Sequence, residues 1–263
     1  MRRGGAILAA CAALAGCGGG GGDPTAVLRD AAASLSEVES AKPLRVRLEV
    51  DPSDGEPFGF EIDGPFALCG DNRLPTLDVD YTQFAQGEEA TVHLISTGDE
   101  AYVEVDGQTY EMADDGEAEL AGTCDDLVGD VEELRVDDWV ADAEADGDRV
   151  TGELDVVTVV GDLADVARAF GRDDLAALDA DDRRRLAEAV EDSTFELERG
   201  DDGIIRHLKM EADVAFDVPE DLRDALTDLV GATITFELEL DEPNTEVRVS
   251  APDSPRPASE LGK

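Results

Sequence analysis

The sequence predicts an α+β fold in which a curved antiparallel β-sheet, a half-barrel, wraps around a few helices. Two observations carry this prediction. Apolar and polar residues alternate with a period of two over roughly nine to eleven segments, the pattern of antiparallel strands with one face wet. Only about three or four stretches show the 3.6-residue period of a helix, too few to sandwich a large flat sheet. The sheet must therefore curl around them to cover its apolar face.

In chain order, Met1-Arg2-Arg3 forms a short positive segment and Ala6 to Ala15 an apolar run of about ten residues. These are the proportions of a secretory signal peptide, too short to span a bilayer. Leu14-Ala15-Gly16-Cys17 resembles the lipobox of bacterial lipoproteins, in which the cysteine thiol receives a diacylglycerol and the chain is cut just before it. The resemblance implies a signal peptide over 1–16 and a lipidated Cys17 opening a tether over 17–23. Gly18 to Gly22 is a flexible coil with a reach on the order of 12 Å. Two or more acyl chains anchor stably where one is marginal, so Cys17 would hold the protein on the extracytoplasmic face of the cell membrane.

A single domain is expected over 24–252. Asp23-Pro24 supplies a capping carboxylate and a proline suited to the first helical position. Val27, Ala31, Leu35 and Val38 then share one stripe, predicting a helix to about Ser40. From Leu44 the period changes to two: Val46, Leu48 and Val50, then Phe58, Phe60 and Ile62, then Leu77, Val79 and Tyr81, then Ala90, Val92 and Leu94. "DEAYVEVDGQTYEM" predicts a hairpin closed by Asp106-Gly107. An acidic helical patch near 116–130 and Trp139 lead to a strand from about Arg149 to Val156. Helices follow around Leu163 to Phe170, with Gly171 as a stop, and at about 180–191. Strands return in "STFELERG", in "DGIIRHLKMEADVAFDVP" and in "ATITFELELDEP". The Pro- and Ser-rich end, 253–263, is expected to be disordered.

The net charge is −44, from 65 acidic and 21 basic residues. Such a surface repels phosphate backbones, which excludes nucleic acid as a partner. The acidity is expected to be solvated surface, since the apolar residues are periodic enough to build a core. Of four cysteines, Cys11 leaves with the signal peptide and Cys17 takes the lipid. Cys69 and Cys124 remain, and in an exported domain they are expected to form a disulfide. Closing a loop of roughly 55 residues stabilises by about 4 kcal/mol on the chain-entropy account.

One metal motif nearly matches. Asp142, Glu144, Asp146, Asp148 and Glu153 fall at ligand positions of a calcium loop, and Gly147 at its turn glycine. Glu is long for its position, Arg149 replaces an apolar residue, and "RVTGELDV" has the period of a strand where an exiting helix belongs. The expectation is a turn at Asp146-Gly147 between two strands and no metal. No G-x-S-x-G, H-E-x-x-H, P-loop or G-x-G-x-x-G motif occurs, and His93 and His207 lie in strands as surface or packing residues. Neither an enzyme nor a cofactor is expected.

Four stretches, "AVLRDAAASLSEVESAKPLRVRLEV", "STGDEAYVEVDGQTYEM", "EADGDRVTGELDVVTVVGDLADVARAF" and "ITFELELDEPNTEVRVSAP", resemble in their order the actinobacterial LprG/LppX-type lipoproteins of the wider LolA/LolB-like superfamily. The resemblance implies a LolA-like half-barrel around an apolar cavity that holds acyl chains, in a family whose members carry lipids or glycolipids or chaperone lipoproteins. Two readings follow: a membrane-anchored carrier of an amphiphile, or a structural lipoprotein with a filled core whose acidic face docks an envelope protein partner. "GPFALCGDNRLPTLDVDY" is long for the family, and the Cys69–Cys124 pair and the acidity depart from it.

Overall fold

The computed structural model describes residues 23–35, 37–69, 72–112, 136–169, 180–215 and 231–260. Helix α1, Pro24–Leu35, starts where its cap requires: the Asp23 carboxylate accepts from the Thr25 N–H at 3.2 Å, and the Asp23 carbonyl from Val27 N–H. It ends about a turn earlier than the apolar stripe predicts, because the chain is already tied to the sheet. Asn244 accepts from Glu39 N–H at 2.8 Å and donates to the Glu37 carbonyl at 3.1 Å. The Ser40 hydroxyl donates to the Thr245 carbonyl at 2.8 Å.

The strands that follow are β1 Ser40–Pro52, β2 Phe58–Ala67, β3 Thr76–Ala85, β4 Glu88–Thr97, β5 Ala101–Val105 and β6 Gln108–Glu111. A short 3-10 turn, Val136–Asp138, precedes β7 Val140–Asp146 and β8 Arg149–Leu154. Helix α2 spans Val156–Ala169 and α3 spans Ala180–Ala189, followed by β9 Val190–Arg199, β10 Ile205–Val214 and β11 Ala232–Leu240. Asp155 caps α2 by accepting from Thr158 N–H at 3.1 Å, so the helix begins at the residue where the periodicity predicts a strand end. The segment 116–130 lies outside the described residues.

The eleven strands among the described residues form one antiparallel sheet in the order β6-β5-β4-β3-β2-β1-β11-β10-β9-β8-β7, the large curved open sheet the alternation predicts. Two meanders meet at β1 and β11, the first and last strands, where Val46 faces Leu238 and Leu48 faces Phe236. Two connections are two-residue turns with both residues at positive φ, Gln86-Gly87 and Asp106-Gly107, the turns whose twist suits a hairpin.

The core lies under α1. Val27, Leu28 and Ala31 of the helix pack with Trp139, Val150, Val159, Phe195, Leu197, Ile205, Leu208 and Met210. Phe195, Leu197, Ile205 and Val150 are at most 1% exposed, so this end is a filled core. At about 25 cal/mol per Å² it is the main source of stability.

The C-terminal segment corrects the expectation of disorder over 253–263. Through Glu260 it is placed, and Arg256 bridges in parallel to Tyr110 on β6. Arg256 N–H donates to the Thr109 carbonyl at 2.9 Å, and Glu111 N–H to the Arg256 carbonyl at 2.7 Å. An edge strand leaves N–H and C=O groups unpaired, and an extended Pro-rich segment can satisfy them despite lacking an apolar pattern of its own.

Candidate apolar binding face

Register puts one apolar row across eight strands. Val150, Leu197, Leu208, Leu238, Val46, Ile62, Tyr81 and Val92 are successive cross-strand partners from β8 to β4. With strands about 4.8 Å apart, the row runs for roughly 34 Å along the sheet. Residues two apart on each strand extend it into a continuous apolar face, including Met210, Phe236, Leu48 and Phe60 on the next row.

Burial divides this face. Val150, Leu197 and Leu208, beneath the helix, are buried, and so are Val50, Leu77, Val79 and Leu240 on the same face of the farther strands. Leu238, Val46, Ile62, Tyr81 and Val92 are only half-buried, as are Leu48, Phe60, Leu94 and Val103. The Phe60 and Tyr81 rings stack with centroids 6.1 Å apart. The described helix α1 packs on β7, β8 and β10, at the far end from this half-buried region. Half-buried apolar side chains can contact acyl chains without any catalytic group.

The opposite face is acidic and laced with cations. Arg45 donates to Asp63 at 2.7 Å and Glu239 at 2.9 Å, and these carboxylates, Asp63 foremost, raise its pKa further above the usual arginine value. Arg47, held by Glu49 and by Glu61 at 2.8 Å, is raised likewise and lies over the Phe84 ring at 5.1 Å from its centroid. His93 sits between Asp78 and Asp80, at 2.9 and 2.7 Å, and His207 bonds Glu237 at 2.9 Å. Each exposed pair contributes only about 0–1 kcal/mol, so the pattern keeps a charged surface tolerable more than it drives folding.

The residues singled out in the sequence fall as follows. Cys17 and Cys124 lie outside the described residues. Cys69, just past β2, is 8% exposed and disulfide-bonded. Asp142, Asp146, Asp148 and Glu153 lie along the β7–β8 hairpin: Asp146 pairs with Arg149 at the turn, whereas Glu153 pairs with Ala141 near the other end. That spreads them along a ladder instead of gathering them around an ion. Asp148 pairs with Arg199 at 3.2 Å. His207, expected as a surface or packing residue of a strand, meets Glu237 and Glu239 through the β10–β11 register, which no local pattern in the sequence indicates.

Fold and face together define an open antiparallel sheet that packs helix α1 toward one end and carries, toward the other, an apolar face on which buried and half-buried side chains alternate. LprF from Mycobacterium bovis, among solved structures, is similar at 9% sequence identity, covering 88% of this chain and 97% of that one, with a TM-score of 0.44. No protein-family profile and no curated protein matches the sequence. No helix among the described residues is long and apolar enough to cross a membrane.

Proposed function

We propose that this chain is a membrane-anchored extracytoplasmic lipoprotein that holds the acyl chains of a lipid or glycolipid against the apolar face of β11 and β1 to β4. The observation that carries the reading is the burial gradient along one row of side chains, from Val150 at 0% exposure to half-buried Val46, Ile62, Tyr81 and Val92. Each methylene removed from water contributes about 0.8 kcal/mol, so about ten contribute on the order of 8 kcal/mol. Association costs about 4–15 kcal/mol, which favours a ligand with a long chain or more than one. The proposed lipid on Cys17, followed by the glycine tether, keeps the domain beside the membrane from which such a ligand comes. Binding of this kind needs no catalytic residue and no cofactor.

A second reading has its own support. Among the described residues the one large apolar side chain that is well exposed is Val157, at 39%. A face that is shielded to this degree also suits a filled interior, with the acidic surface docking an envelope partner.

A fluorescent fatty-acid probe titrated into the purified protein separates the two. Saturable binding that Phe60→Glu and Val92→Glu abolish, with the β-sheet circular dichroism retained, is the expected result. Binding unaffected by both substitutions would place the ligand elsewhere, and no binding at all would leave the filled-core reading. Membrane fractionation of Cys17→Ser, expected to release the protein, tests the anchor.

A further inference from the structure

On the polar face, β10 and β11 bring three metal-binding side chains together. His207 stands opposite Glu239 in the antiparallel register, and its Nε2 reaches diagonally to Glu237 Oε1 at 2.9 Å. One donor atom from each of His207, Glu237 and Glu239 lies within 4.8 Å of the other two, the one such group among the described residues. All three are half-buried and spring from adjacent paired strands, so their Cα positions are fixed by the ladder.

We propose that His207, Glu237 and Glu239 form a divalent-metal site whose donor set selects Zn²⁺. An imidazole with two carboxylates suits zinc, whereas calcium and magnesium favour all-oxygen shells. Zinc holds its nitrogen and oxygen ligands at about 2.0–2.2 Å in a tetrahedron, which separates ligand atoms by roughly 3.3–3.6 Å. The triad's spacing brackets that range, so small side-chain adjustments suffice. A fourth position opens onto a cleft of about 640 Å³ that His207 and Glu239 line with Pro43, Arg45, Arg206 and Asp241, which leaves room for a water ligand.

Arg45 does not block the site. Its Nε and Nη2 both donate to Asp63 and only Nη1 reaches Glu239, through Oε2. Arg45 therefore stays paired with Asp63 even where its one bond to Glu239 is given up to a metal. Zinc takes the lone pair of a His207 ring nitrogen, and any proton on that nitrogen leaves for the other ring nitrogen or for solvent.

The test is calorimetric titration of the chelator-stripped full-length chain, in detergent, with Zn²⁺ against excess Mg²⁺. The magnesium saturates diffuse binding to the many surface carboxylates. One Zn²⁺ per chain is expected, weakened at least about tenfold by His207→Gln and by Glu237→Gln and unchanged in His93→Gln. Glu237→Gln keeps the side chain's shape and decides the matter should His207→Gln fail to fold. Co²⁺ in place of Zn²⁺ should show tetrahedral absorption that both triad variants lose. No unit-stoichiometry binding above the magnesium background, or binding equal in the wild type and both triad variants, would overturn the site.

Discussion

The indole Nε1–H of Trp139 donates to the Asp162 carboxylate at 2.8 Å, with both residues buried. This bond joins the chain entering β7 to the second turn of α2, and Trp139 at the same time packs into the core beneath α1. Losing a buried hydrogen bond to a charged group costs about 1–3 kcal/mol. Trp139→Phe should therefore lower stability by roughly that amount, read as a reduced urea midpoint with an unchanged m-value.

Among the described glycines, Gly59 leaves the least room for a side chain. A Cβ there would collide with the Leu48 carbonyl oxygen and come within 2.9 Å of the Phe84 ring, which lies beneath the Arg47 guanidinium. Gly59→Ala is expected to destabilise by about 1–3 kcal/mol, the cost of overpacking, in the same urea titration. A substitution without effect would mean that β1 and β2 are not held in the observed register.

The β9–β10 turn has a pH dependence of definite sign. Burial pushes the Asp202 carboxyl upward, but the Ile204 N–H and the Arg206 guanidinium outweigh it and hold the group below its ordinary value. A carboxyl depressed in the folded state stabilises above its unfolded pKa, and that stabilisation is lost as pH falls through the folded value. Asp202→Asn should melt below the wild type at neutral pH, with the gap closing as pH falls through and below the carboxylate range.

The partner of Cys69 is proposed to be Cys124. Non-reducing peptide mapping should recover the two in one cross-linked fragment, and Cys124→Ser should lower stability by about 4 kcal/mol on the chain-entropy account. A map that joins Cys69 to another cysteine would contradict the pairing.

What could be read in the sequence was local. Phe58, Phe60 and Ile62 alternate with Gly59, Glu61 and Asp63, and that alone assigns β2 its apolar and polar faces. Asp106-Gly107 likewise carries its turn in two residues. Pairings between distant strands were not legible. Nothing near Val46 indicates that it will face Leu238, and the approach of His207 to Glu239 depends on the same long-range register. The strap at Arg256 was missed because its order comes from the bare edge of β6 and not from its own composition. The apolar row was visible residue by residue, but where burial stops along it is a property of the assembled sheet.

Native mass spectrometry of the full-length protein from its own host, paired with organic extraction and with Phe60→Glu as the control, decides whether the half-buried face holds acyl chains. A stoichiometric lipid adduct that solvent releases and that Phe60→Glu lacks is expected, over and above any mass attached covalently at Cys17. A protein that remains free of extractable lipid, even after incubation with host lipids, would contradict it.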